Sequence, residues 1–139
     1  MTFEDVIKSF STRGLSPGDV QRYLDTGGDI DYKHPQRHWT LLHFAAEGGN
    51  PEVVRLLAAR GASLNATDLN GHTPLHIAVD SDLDASCQLE RQPSLPTAQA
   101  LLSAGADEAL KDADNLTARD YAVAYGQETL YDSLARKGA

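Results

Sequence analysis

One short segment recurs along the chain at fixed spacing. Thr40-Leu41-Leu42-His43-Phe44-Ala45 and Thr73-Pro74-Leu75-His76-Ile77-Ala78 lie 33 residues apart. A degenerate third copy, Thr117-Ala118-Arg119-Asp120-Tyr121-Ala122, follows after a further 44. A period of this size constrains the fold more than any other feature. Each period is one supersecondary unit that cannot bury its apolar face alone, so neighbouring units must stack. The segment itself reads as a helix start: Thr is a good N-cap, Pro is tolerated in the first turn, and Leu and Ala then build a narrow apolar stripe.

Between the copies the pattern is of paired helices. Phe3, Val6, Ile7 and Phe10 share one helical face, with Gly14 as its stop. Ser16-Pro17-Gly18-Asp19 is a second start, with Ser16 as N-cap and Val20, Tyr23 and Leu24 facing inward. From Thr40 the chain predicts a short helix to Glu47, a breaker cluster Gly48-Gly49-Asn50-Pro51, and a second helix from Glu52 to Ala59. Thr73 opens the next pair, whose first helix is predicted to run to about Asp80. The counterpart of the link 48–52 is then the stretch 81–96, which explains the spacing of 44 rather than 33. Pro93 and Pro96 predict an extended or turned end to that insert. Thr97 to Ala104 completes the pair. The last unit has helices at Thr117 to Tyr125 and Glu128 to Leu134, with Arg136 and Lys137 where a helix dipole favours cations. Asp68-Leu69-Asn70-Gly71 is a tight turn with Gly71 at positive φ, and Asn115 takes that place one unit later. The expected organisation is a single domain, 1–139: a capping unit 1–34, a repeat 35–67, a repeat 68–111 with the insert 81–96, and a C-terminal capping unit 112–139.

Composition narrows the partners. A formal charge of -8 argues against nucleic acid and anionic membranes and favours a basic partner. Cys87 is the single cysteine, so no internal disulfide forms and a reducing compartment is expected. No apolar run is long enough to span a membrane. Met1-Thr2-Phe3-Glu4-Asp5 places acids where a secretory signal carries cations, so a cytoplasmic location is expected.

Thr-Pro-Leu-His at Thr73 to His76, Val53-Val54-Arg55-Leu56-Leu57, and Gly-Ala at Gly61 and Gly105 agree with the period in order and spacing. Together they resemble the ankyrin repeat, from about Ser16 to Leu134. The resemblance implies an all-α solenoid of stacked antiparallel helix pairs with hairpin-like fingers. It also implies a concave face of fingers and first helices, and a non-enzymatic role in binding another protein. Leu41 in place of the motif Pro, Arg119 in place of its Leu, and the insert depart from the pattern.

His43 and His76 hold equivalent positions, which fits hydrogen bonding in the turns that link units better than catalysis or metal binding. His34, His38, His72 and Cys87 lack the short spacings of structural zinc sites, so no metal or cofactor is expected. His38 and His72 are expected to be exposed on fingers. Cys87 is expected to be a partly buried, inert thiol. Asp82 and Asp84 are expected on a solvated loop rather than as an acid–base pair. Neither a phosphate-cradling loop nor a nucleophile elbow occurs.

Charge and aromatic features remain. Between Arg60 and Arg91 there is no Lys or Arg, while the interval holds Asp68, Asp80, Asp82, Asp84 and Glu90. Trp39, with Arg37 beside it, either packs within the array or anchors an interface. By repeat position, the resemblance implies groove residues Gln36, Arg37, Trp39 and Glu47; Leu69, Asn70, His72 and Asp80; and Asp114, Leu116 and Tyr125. Asp82 and Asp84 belong to an insert expected to form one rim. The functional expectation is a protein-binding module, of inhibitor or immunity type, directed at a more basic protein. A generic scaffold or regulatory subunit is the competing form. A metal-dependent or enzymatic site on the insert is the alternative of another class.

Overall fold

Helix starts decide where the chain turns. The structure, a computed structural model, describes residues 2–8 and 14–138, with side chains through 136. Eight helices and no strand occur among the described residues: α1 (Phe3–Ile7), α2 (Pro17–Asp25), α3 (Leu41–Glu47), α4 (Pro51–Ala59), α5 (Pro74–Gln88), α6 (Pro96–Ala104), α7 (Ala118–Ala124) and α8 (Glu128–Gly138). Phe10 and the Lys137 side chain lie outside the described residues.

Helices α3, α5 and α7 each open on a Thr with extended backbone, whose hydroxyl accepts from the amide three residues on. The side chain at that third position accepts in turn from the Thr amide. Glu or Gln commonly fills it; here it is His43, His76 and Asp120. The Thr40 N–H donates to His43 Nδ1 at 3.1 Å, so the ring proton sits on Nε2, which donates to the carbonyl of His72 at 3.0 Å. His76 repeats the arrangement, with the Thr73 N–H at 3.2 Å and the Leu116 carbonyl at 2.8 Å. Both rings are fully buried. Burial holds their pKa values below the ordinary 6.5, against the pull of the carbonyl each one meets. Each histidine therefore caps its own helix and grips the finger of the following unit. Asp120 accepts from the Thr117 N–H at 2.9 Å and reaches no later finger among the described residues.

The fingers are each built on one side chain. Asp68 Oδ1 accepts the N–H groups of Asn70 and His72, both at 2.9 Å. Asp112 Oδ1 accepts those of Asp114 and Leu116 at 2.9 and 3.0 Å. In the first finger His34 Nδ1 takes the amides of Gln36 and Arg37 at 3.2 and 3.3 Å. Adjacent fingers also touch: the Ala113 N–H donates to the carbonyl of Asn70 at 2.9 Å. Gly71, at φ +73°, allows this approach, since a Cβ there would stand 3.0 Å from the Ala113 nitrogen. Asn115 adopts the equivalent left-handed conformation at φ +65°.

Helices α3, α5 and α7 stack in one layer and α2, α4, α6 and α8 in a second. Between them Leu41, Leu42, Val53, Leu57, Leu75, Leu101 and Tyr131 are fully buried. A fully buried aliphatic side chain contributes about 2 kcal/mol, so the layers hold together chiefly through these faces.

The insert corrects the expectation of a loop from Ser81. Helix α5 runs on to Gln88. The preceding unit stops at Gly48-Gly49, whereas nothing from 81 to 88 breaks a helix, and Leu83 and Ser86 keep one face buried. Asp82, expected at a solvated surface, is only 7% exposed. Its Oδ2 accepts the amides of Thr97 and Ala98 at 3.0 and 3.1 Å. In the earlier unit Asn50 caps α4 from the residue before the Pro; here Leu95 stands there and makes no cap bond. The insert thus moves the cap of α6 to Asp82, 15 positions before the Thr97 amide that it accepts. Burial pushes the Asp82 carboxyl up to about 6 despite those bonds. Cys87, expected to be partly buried, is exposed.

Two expected outcomes follow from these bonds. His76→Ala leaves the Leu116 carbonyl and the Thr73 amide without partners and opens a buried void, a loss of about 3 kcal/mol in urea denaturation. A loss within error would remove the imidazole from its joining role. The second concerns pH. Because the Asp82 carboxyl is raised from 3.8 to about 6 on folding, the native state holds an extra proton between those values. The contribution of Asp82 to stability therefore rises as pH falls through 6 and is complete below 4, up to about 3 kcal/mol. Wild-type stability measured relative to Asp82→Asn should grow by that amount from pH 7 to pH 4; a flat or opposite trend would show that the amides of Thr97 and Ala98 outweigh burial at this carboxyl.

Candidate functional site

A chain of polar side chains crosses the fingers at their roots. The Trp39 indole N–H donates to Asp68 Oδ2 at 2.9 Å. His72 lies between two carboxylates, with Nδ1 3.3 Å from Asp68 Oδ2 and Nε2 3.5 Å from Asp112 Oδ2. The Tyr121 hydroxyl closes the series on Asp112 Oδ2. Three fingers and α7 are thereby tied by one continuous network. Burial acts to raise the Asp68 carboxyl, but the His72 amide, the Trp39 indole and the Asn70 amide outweigh it and hold it low. At Asp112 burial is likewise outweighed, by the Tyr121 hydroxyl and the amides of Leu116 and Asp114. Tyr121 is pushed up by burial first and by Asp112 second. The expected exposed His72 is thus half-buried, held between its two acids; His38 is exposed.

Trp39 is divided between its two possible uses. Its ring packs edge-on against Phe44 at 5.1 Å and stacks on His43 at 6.1 Å. The Arg37 guanidinium covers it at 5.1 Å from the centroid. Gln36, Arg37, Trp39, Leu69, Asn70 and His72 line one shallow groove with Asp68, between the first two fingers. Leu69 is 65% exposed at its rim. Asp114 and the partly exposed Leu116 lie on the third finger, outside that groove.

A second cluster lies on the first-helix layer. Asp80 and Asp84 are exposed one turn apart on α5. The Tyr125 hydroxyl donates to Asp80 Oδ1 at 3.1 Å, and Gln88 Nε2 to Asp84 Oδ2 at 2.7 Å. The Glu47 carboxyl is held above its ordinary range by lost hydration first and by Asp80 next, with Arg37 opposing and Asp84 adding. The Ser81 hydroxyl ties this side of α5 to the Glu47 carbonyl at 2.8 Å.

The acids of the interval from Arg60 to Arg91 therefore fall into two sets. Asp68, whose side chain is 5% exposed, and Asp82 serve the interior. Asp80, Asp84 and Glu90 remain at the surface. Asp68, Asp112 and Tyr121 were not among the expected site residues. The signal for the two acids was present, since each stands five positions before a helix-opening Thr. Chemically this face offers charge, hydrogen bonds and apolar tips. Among the described residues no three His, Cys, Asp or Glu side chains converge to hold a metal ion. No helix among them is long and apolar enough to cross a membrane.

Similarity to known proteins fits this geometry. The family model for ankyrin repeats, in three copies, matches residues 13–107. The mouse protein phosphatase 1 regulatory subunit 12A is 35% identical over 71 residues, 51% of this chain and 7% of the relative. The mouse ankyrin repeat and SOCS box protein 6 is 31% identical over 102 residues, 73% of this chain and 22% of the relative. The zebrafish (Danio rerio) protein fem-1 homolog A is 42% identical over 89 residues, 63% of this chain and 14% of the relative. The chain thus spans under a quarter of the length of each of these relatives. With its stacked helix pairs, its repeated Thr-x-x-His caps and its linked fingers, the chain belongs to the ankyrin-repeat family.

Proposed function

We propose that this chain is a protein-binding module without catalytic chemistry of its own, and that its partner presents a basic segment to the face carrying Glu47, Asp80 and Asp84. The observation that carries the reading is the set of exposed acids on rigid first helices. Glu47 on α3 and Asp80 and Asp84 on α5 are exposed on neighbouring helices tied by the Ser81–Glu47 bond, with Arg37 as the opposing cation. Like charges held together raise the energy of the free protein. A cation from a partner relieves that repulsion and is steered in by the same field. The net charge of -8 extends it over the molecule. Leu69, Leu116 and the Trp39–Arg37 pair supply the apolar and aromatic anchors that interfaces use.

One relative is by name a regulatory subunit of protein phosphatase 1, which supports control of another protein as the outcome of binding. An inhibitor or immunity-type role is the form we infer from the acidic character of this face. The exposed free thiol of Cys87 fits a reducing, cytoplasmic setting.

The test is capture of partners from host extract on immobilised wild-type protein and on the double variant Asp80→Asn, Asp84→Asn. Basic proteins should be retained by the wild type and bound about fivefold more weakly by the variant. The difference should close as salt rises to about 0.5 M, where screening shortens the range of exposed charges to about 4–5 Å. Partners indifferent to both changes would contradict the basic-segment reading.

A further inference from the structure

The additional turns of α5 build a feature that the repeat pattern lacks. Leu83 and Cys87, one turn apart on α5, line an apolar pocket of about 60 Å³ with Pro93 from the extended link and Tyr125 from the end of α7. Leu83 is buried and forms the floor, whereas Cys87 and Pro93 are exposed. The volume is far below the roughly 300–1,000 Å³ of small-molecule sites and is on the scale of one aliphatic side chain. No acid is among its lining residues; Asp80 and Asp84 stand beside it, exposed on the same helix. The Tyr125 hydroxyl meets Asp80 at 3.1 Å. Its ionisation is pushed up to about 12 by burial first, then by Asp80 and Asp84. Arg91 is the one charged side chain that lines the pocket.

We propose that this pocket seats an aliphatic side chain of the partner's basic segment, while Lys or Arg residues flanking it meet Asp80 and Asp84. The proposal rests on the basic-partner reading above and adds to it a specificity subsite made by the insert. The volume suits a single side chain, and the paired carboxylates select a cationic peptide over an acidic one. The pocket lies where the fingers do not reach, so it discriminates among basic segments that the shared groove would treat alike.

An NMR titration of ¹⁵N-labelled protein at low salt decides it, using three synthetic peptides: Gly-Arg-Arg-Leu-Arg-Arg-Gly, the same peptide with Gly in place of Leu, and the same with Glu in place of every Arg. The leucine peptide is expected to bind about tenfold more tightly than its glycine analogue and to shift the amides of Leu83, Cys87 and Tyr125. Cys87→Trp, which fills the pocket from its exposed side, should abolish that preference. Equal affinities for the leucine and glycine peptides in the wild type would overturn the pocket and leave the basic-partner reading standing. Tighter binding of the acidic peptide, or no binding of either basic peptide, would overturn both. The wild-type comparison decides the matter even if the tryptophan variant fails to fold.

Discussion

A buried imidazole joins each repeat to the next. His43 and His76 accept from the Thr amide that opens their own helix and donate to a carbonyl in the following finger. Only a neutral ring with its proton on Nε2 does both. Burial keeps the rings neutral, and the repeated geometry keeps that proton aimed at a carbonyl. A carboxylate can close the same capping box but has no proton to pass on, and Asp120 illustrates the point at the last such start. This bond ties each first helix to the finger of the following unit, across the apolar faces that hold the layers together.

The fingers gain rigidity from a second, sideways network. Asp68 and Asp112 organise their own turns with one oxygen and reach His72, Trp39 or Tyr121 with the other. The groove between the first two fingers is therefore set before any partner arrives, which lowers the ordering loss on binding. The insert works differently. It lengthens α5, moves the cap of α6 to Asp82 and leaves Asp84 and Glu90 exposed beside Asp80.

Much of the fold was legible because its determinants are local. The Thr-x-x-His starts, the Gly48-Gly49 stop and the Gly71 and Asn115 turns each act within a few residues. The period then told which faces must meet. The insert was misread because its length was judged against the repeat and not from its own residues. The stretch 81–88 has no breaker, and a missing stop signal is weaker evidence than a present one. Asp82 was misread for a related reason. Its partners are amides 15 and 16 positions away, and a cap supplied across such a gap leaves no local pattern. Repeat register groups Trp39 with Leu69, Asn70 and His72, and these side chains line one groove, whereas Glu47, Asp80, Asp114, Leu116 and Tyr125 lie outside it. Register alone does not reveal that Asp68 is spent on the indole and on His72.

The most direct measurement is the tautomer and titration of the two capping histidines, followed by ¹⁵N–¹H correlation spectra of the imidazole rings between pH 5 and 8. His43 and His76 should each remain neutral with the proton on Nε2 while the protein stays folded, their ring protons protected from exchange. Rings that titrate near the ordinary 6.5, or that carry the proton on Nδ1, would contradict the claim that these side chains link one repeat to the next.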